Sequence, residues 1–153
     1  MGRQAILTDP NFCQGNYLLE KTFPSRGLAV ARMTAHITYL SESSPQRKFG
    51  RNLQNNNHQK IVSINSKHSP EFEVENYLHY QGLNFIERFD PNSYIAITKA
   101  VDYFDLEKDF NNNLSLAFAN SSHIDFCIIS FSDDWLFPAC EAKKLTMSIL
   151  ACN

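Results

Sequence analysis

Apolar positions recur at helical spacing along most of this chain. Val30, Met33, Ile37 and Leu40 fall at i, i+3, i+7 and i+10, which places them in one stripe of a helix. Pro24 and Ser25 supply the start signals, so a helix is expected over residues 25–40. A second helix is expected from Ser69-Pro70, with Pro at its first position and Glu71 and Glu73 in its first turn. Val74, Leu78, Phe85 and Phe89 would lie on one side of it. A third opens at Asp90-Pro91, an acid cap followed by Pro, and is striped by Tyr94, Ile97, Val101 and Phe104. A short helix is expected over residues 114–119. A last one is expected from Pro138, striped by Ala142, Leu145, Ile149 and Cys152.

One segment breaks the helical period. Phe126-Cys127-Ile128-Ile129 is a short continuous apolar run, the composition of a buried parallel strand. Polar loops are expected over residues 52–68, rich in Asn, Gln, Ser and Lys, and at Asn111-Asn112-Asn113. The pattern is therefore α/β: mostly helical, with one terminal strand followed by a helix. A lone strand cannot satisfy its edges. The final helix runs to Asn153 without a capping Gly, as expected of a piece of a larger fold.

Composition narrows the classes. The chain has 153 residues, 43% of them hydrophobic and 20% charged, which suits a globular domain rather than a disordered one. With 14 basic and 16 acidic residues, no basic stripe exists, and nucleic acid is not an expected partner. No apolar run approaches a membrane span. Cys13, Cys127, Cys140 and Cys152 form no CxxC pair, and Cys127 is expected in the core. The histidines show no metal-binding spacing, so neither metal nor bound cofactor is expected.

Two places carry candidate chemistry. Arg32, His36 and Tyr39 fall at i, i+4 and i+7. Seven steps of about 100° return to within about 20° of the start, so one face would present a guanidinium, an imidazole and a phenol. The other place is the segment Phe131-Ser132-Asp133-Asp134-Trp135-Leu136-Phe137-Pro138. An acid at the carboxyl end of a parallel strand sits where open α/β sheets keep their ligands. Taken alone, Asp134 reads as a loop carboxylate or a helix cap before Pro138 rather than as a catalytic acid.

The ordered set Gly2-Arg3-Gln4-Ala5-Ile6, Asp9-Pro10, Gly15-Asn16-Tyr17, Gly27-Leu28-Ala29-Val30-Ala31-Arg32-Met33, Thr38-Tyr39, Lys48-Phe49-Gly50-Arg51, Val74-Glu75-Asn76-Tyr77-Leu78, Tyr80-Gln81-Gly82, Phe89-Asp90-Pro91-Asn92-Ser93-Tyr94 and Asp134-Trp135-Leu136-Phe137-Pro138 resembles the homoserine O-acetyltransferases. These are α/β-hydrolase acyltransferases of methionine biosynthesis. The resemblance implies a partial α/β-hydrolase fold. Residues 1–24 would be a residual segment of that fold, 25–120 a helical lid, and 121–153 the strand, loop and helix bearing a triad acid. It implies acetyl transfer from acetyl-CoA to L-homoserine by a ping-pong Ser-Asp-His route. Asp134 would be the triad acid, with Asp133 where the family usually has Ser. Arg32 would bind the homoserine carboxylate and Tyr39 would hydrogen-bond nearby. His36 precedes the acid in the chain, whereas α/β-hydrolases run Ser, Asp, His, so it is not the base.

No GxSxG-like or GGSxGG-like stretch occurs, and no His follows Asp134. The chain alone is therefore expected to be inactive. The resemblance further implies a cytoplasmic location and a homodimer built through the lid. A homoserine O-succinyltransferase fragment, a split-enzyme subunit and a non-catalytic helical interaction module stay open beside the acetyltransferase assignment.

Overall fold

A computed structural model describes residues 1–39, 47–53, 70–134 and 136–152. The expected helix end at Leu40, residues 54–68 of the expected polar loop, the helix start at Ser69, and Trp135 lie outside them. Among the described residues the order is α1 (Gly2–Leu7), a 3₁₀ turn (Pro10–Gly15), α2 (Ser25–Tyr39), α3 (Glu73–Ile86), α4 (Pro91–Tyr103), α5 (Leu106–Asp109), a second 3₁₀ turn (Leu114–Phe118) and α6 (Ala139–Leu150). Two compact units, residues 1–99 and 100–153, divide the chain within α4.

The first unit is organised by Asp9. This buried carboxylate accepts the Asn11 N–H at 2.9 Å and the Gly27 N–H at 2.7 Å. One side chain thus caps both the Pro10–Gly15 turn and the start of α2, satisfying donors that a helix N-terminus leaves orphaned. A second clasp ties the segment before α2 to the start of α4. The buried Tyr17 hydroxyl donates to the Asp90 carboxylate, and the Asn92 amide side chain donates to the Gly15 carbonyl at 3.0 Å. Asp90 also accepts the Ser93 N–H at 2.8 Å, so the expected cap of α4 stands.

α2 packs between α1 and α3, but not through the expected stripe. Val30 and Ile37 are 46% and 56% exposed, whereas Gly27, Leu28 and Ala31 are buried. Small residues decide this. A Cβ on Gly27 would lie 2.4 Å from the Ala5 carbonyl oxygen, and one on Gly82 would lie 3.2 Å from the Ala29 Cβ. Both neighbouring helices therefore approach on the Gly/Ala side, and the branched residues are left outside. The core comprises Ile6, Phe12, Tyr17, Leu28 and Ala31, with Phe85, Ile86, Tyr94 and Ile95 packed against it.

The second expected helix begins at Glu73 rather than at Pro70. Phe72 is extended and bridges to Leu53, and the Glu75 carboxylate accepts the N–H groups of Glu71 and Phe72 at 2.7 and 3.0 Å. Those bonds hold the two residues outside the first turn.

In the second unit, Asp105 caps α5 by accepting the Lys108 N–H at 3.0 Å, and Asn113 caps the 3₁₀ turn by accepting the Ser115 N–H at 3.1 Å. The expected short helix over 114–119 is this 3₁₀ turn. α6 packs on it, buries Ile149, and is tied back by the Cys152 thiol, 2.7 Å from the Ser115 carbonyl. Lys144 of α6 pairs with Glu107 of α5.

The expected terminal strand does not form. Phe126–Ile129 has neither helix nor ladder, and Ile129 is 78% exposed. A strand exists only through hydrogen bonds to a neighbour, and no sheet stands beside this run among the described residues. Cys127, expected in the core, is exposed for the same reason.

Candidate functional site

In the first unit Arg32 and His36 lie on the face of α2 that meets α3. The Arg32 guanidinium lies 5.0 Å over the Phe85 ring of α3, a cation–π contact that fixes its position. Phe85 in turn stacks on Phe89 at 4.9 Å and meets the edge of Tyr94 at 6.2 Å. One aromatic plate therefore supports Arg32 on α2 and Tyr94 on α4.

One turn along α2, the His36 ring meets Tyr77 edge-on at 5.7 Å, with Nδ1 3.5 Å from the Tyr77 hydroxyl. Its Nε2 is buried, and no hydrogen bond to it meets normal geometry among the described residues, although the Gln81 side chain lies near the ring. Burial, and next the nearby Arg32 charge, push the imidazole pKa below its ordinary value, with Gln81 opposing. Both effects act against the charged imidazole, and His36 packs on Tyr77 one turn from Arg32. Lys48 extends the row, 4.9 Å over the far Tyr77 ring. Tyr39, at the end of α2, is 59% exposed.

The spacing of Arg32 and Tyr39 was legible in the sequence, but Arg3 and Tyr94 were not singled out. The Tyr94 phenol is pushed above its ordinary value by burial first and by the Tyr39 phenol next, against the pull of Arg3 and Arg32. Its hydroxyl reaches α1 so closely that a Cβ on Gly2 would stand 2.5 Å away. The sequence marked Tyr94 as part of an apolar stripe and of the family resemblance, without a role at a site.

In the second unit Asp134 sits in the loop before α6. Its Oδ1 accepts the Leu136 N–H at 3.0 Å and the Phe137 N–H at 2.9 Å, while its own N–H donates to the Phe131 carbonyl at 3.3 Å. The loop folds around this carboxylate. It borders a hollow of about 470 Å³, lined also by Ile128, Phe131, Phe137, Glu141 and Leu145. Asp133 is exposed, and its one hydrogen bond among the described residues is with the Ser132 hydroxyl, at 3.5 Å. Of the two adjacent acids, Asp134 is the one that the loop orients. Such a group can hold a hydrogen-bond donor such as an imidazole, but it cannot transfer an acyl group. Arg32 and Tyr39 belong to the first unit and Asp134 to the second. Among the described residues no His, Cys, Asp or Glu cluster could hold a metal, and no helix is long and apolar enough to cross a membrane.

No family model matches the chain. It is 50% identical over 151 residues to the homoserine O-acetyltransferase of Rhodospirillum rubrum, covering 99% of this chain and 37% of that protein. It is 50% identical over 149 residues to that of Acidiphilium cryptum, covering 97% and 38%. For that of Methanohalobium evestigatum the figures are 50% over 153 residues, 100% and 29%. The chain thus spans well under half the length of these relatives. The crystal structure of homoserine O-acetyltransferase from Bacillus anthracis superposes with a TM-score of 0.74 at 22% identity, over 99% of this chain and 38% of that one. Along nearly its whole length the chain is therefore homologous to part of the homoserine O-acetyltransferases, and it shares the fold of the matching part of the crystallised one.

Proposed function

We propose that this chain supplies the acceptor-binding arginine and the triad acid of an α/β-hydrolase homoserine O-acetyltransferase. The single observation that carries this is the 50% identity to such enzymes over nearly the whole chain. It is supported by an Arg32 fixed on Phe85 and an Asp134 oriented by its own loop. In that chemistry a Ser oxygen attacks the thioester carbonyl of acetyl-CoA. His takes the Ser proton and returns it to the departing thiolate. The homoserine hydroxyl then gives its proton to His and attacks the acyl-enzyme, and Ser recovers the proton as it leaves. Asp134 orients that His and stabilises its charged form. Arg32 pairs with the homoserine carboxylate, a charge-assisted contact that a guanidinium fork suits, and Tyr39 adds a hydrogen bond.

The Ser and the base are not in this sequence, so the chain does not turn over by itself. Activity requires the remaining part of such an enzyme, which carries them. The exposed Ile129, Phe131 and Phe137 fit this reading, because the sheet of such an enzyme would cover them. A homodimer through the α2–α4 region and a cytoplasmic location belong to the same proposal.

The test is thiol release from acetyl-CoA with L-homoserine. The chain is assayed alone and after coexpression with the complementary parts of the Rhodospirillum rubrum enzyme. No release alone and homoserine-dependent release from the mixture are expected. Release by the chain alone, or none from a copurifying mixture, sinks the proposal. Succinyl-CoA in the same assay separates the acetyl from the succinyl donor.

A further inference from the structure

The Tyr77 ring of α3 is gripped from two directions. From α2, the His36 ring meets it edge-on at 5.7 Å. From residues 47–53, Phe49 packs on it at 5.0 Å and the Lys48 ammonium lies 4.9 Å from its centroid. Phe49 is buried although Arg47, Lys48, Gly50 and Arg51 around it are exposed, so its ring anchors the first half of this segment. The second half is held differently. The Asn52 carbonyl accepts the Glu73 N–H at 3.1 Å, and Leu53 bridges to Phe72. One end of the segment therefore rests on an aromatic ring and the other on backbone hydrogen bonds.

The His36 side of this grip suits an uncharged imidazole. Nδ1 lies 3.5 Å from the Tyr77 hydroxyl, and Nε2 is buried without a hydrogen bond of normal geometry among the described residues. A protonated ring has two donors to satisfy. On its own helix it faces the Arg32 cation, and on α3 the Tyr77 hydroxyl and the Gln81 side chain. Lys48 brings a second cation to the same Tyr77 ring. Gln81 favours the charged form, whereas burial and then Arg32 oppose it. We propose that His36, Tyr77 and Phe49 form a pH-operated clasp, in which protonation of His36 turns its ring toward water, shifts Tyr77 and releases residues 47–49 from α3. The clasped imidazole has a pKa below its ordinary 6.5, and the released ring regains the ordinary value. The clasp is therefore fully favoured above about pH 6.5 and is lost as pH falls through the lowered value. Between the two values the released population grows by at most about ten-fold per pH unit, the limit for one proton. Residues 52 and 53 stay bound, because their bonds to Glu73 and Phe72 are made by backbone.

The test is NMR of the ¹³C,¹⁵N-labelled full chain from about pH 7.5 to about pH 5, the range in which imidazoles change charge. It reads the His36 ring shifts, the nuclear Overhauser effect between the Phe49 and Tyr77 rings, and the Glu73 amide. The ring-to-ring effect is expected to fade with the midpoint of the His36 titration while the Glu73 amide holds. His36→Gln and His36→Phe take no proton, so both should keep the effect at the lowest pH. The Phe variant retains an aromatic edge for Tyr77 and so guards against a packing defect in the Gln variant. His79 also lies on α3, where it acts on Glu75, and His79→Gln should leave the effect and its midpoint unchanged. Persistence of the effect with His36 protonated refutes the clasp, as does an imidazole that stays neutral to the lowest pH. An unchanged midpoint in His36→Gln and His36→Phe, or a midpoint that disappears in His79→Gln, assigns the trigger to another group and overturns the proposal. Collapse of the whole spectrum on protonation of His36 means that the unit unfolds rather than unclasps, and overturns it too. Absence of the effect near pH 7.5 from the parent chain, or from both His36 variants, does the same.

Discussion

Gly27→Ala puts the packing of α1 on α2 to the test. The new Cβ would stand 2.4 Å from the Ala5 carbonyl oxygen and 2.8 Å from the Ile6 Cα. Carbon atoms prefer about 3.5–4.0 Å, so the helices must part by about 1 Å. Both obstacles are backbone, so no side chain can rotate away. Overpacking of this kind costs about 1–3 kcal/mol. The same movement stretches the 2.7 Å bond from the Gly27 N–H to the buried Asp9 carboxylate, and bonds to charged groups contribute about 1.5–3 kcal/mol. Against this, Ala gains about 1 kcal/mol over Gly in a helix interior. The net loss should be about 3 kcal/mol, roughly a hundred-fold in the folding equilibrium. Gly82→Ala is the internal control. Its Cβ would meet Ala29 at 3.2–3.4 Å, a tight contact that the same propensity gain of about 1 kcal/mol offsets, so its net effect should be near zero. Urea unfolding followed by helical circular dichroism reads both. A Gly27→Ala chain as stable as the parent, or a Gly82→Ala chain less stable than Gly27→Ala, would refute the close approach of α1 and α2.

Asp90 has its pKa raised by burial, but hydrogen bonds from Tyr17, Ser93 and Asn92 outweigh this and hold it below the usual carboxylate range. A depressed folded pKa stabilises fully above the unfolded value of about 4 and is lost as pH falls through the folded value. Tyr17→Phe should therefore reduce stability at neutral pH and flatten its acid limb; an unchanged acid limb would exclude the clasp. The His36 imidazole, followed by NMR, should titrate below about 6.5 and move upward in Arg32→Gln, though burial keeps it depressed. This depressed pKa favours the folded state above about 6.5, and the contribution falls on acidification through the folded value. Failure of Arg32→Gln to move the titration would show that the guanidinium lies elsewhere. In the complemented enzyme, Asp134→Asn should lower kcat by about 10⁴ and Asp133→Asn by little. Equal losses would contradict the assignment between the two acids.

What the sequence revealed was what is decided locally. α4 begins where Asp90-Pro91 marks it, because the cap acts within one turn, through the Ser93 N–H. α2 likewise follows Pro24 and Ser25. The face that α2 buries was not legible. Apolarity alone favours Val30, Met33 and Ile37, but the approach of α1 and α3 to Gly27 and Ala29 is a tertiary fact. Arg32 and Tyr39 were visible because seven residues make nearly two turns. Arg3 and Tyr94 come from α1 and α4, and no spacing relates them.

The acid loop and the segment before it separate these two kinds of information most sharply. Phe126–Ile129 has strand composition yet forms no strand, because its hydrogen-bond partners would have to come from elsewhere in a sheet. A few residues on, Asp134 keeps a defined position, because the Leu136 and Phe137 N–H groups that hold its Oδ1 lie two and three residues ahead. The orientation of the acid is therefore encoded in the loop, and its placement relative to a base is encoded in the sheet. Complementation should reflect this division. A partner that supplies the sheet needs only to carry Asp134 into reach, since the Leu136 and Phe137 N–H groups both donate to Oδ1 and an incoming imidazole would use Oδ2. Leu136→Pro removes one of the two donors and should lower the kcat of the complemented enzyme without weakening assembly. Loss of assembly in that variant would mean that the loop acts in docking rather than in orienting the acid.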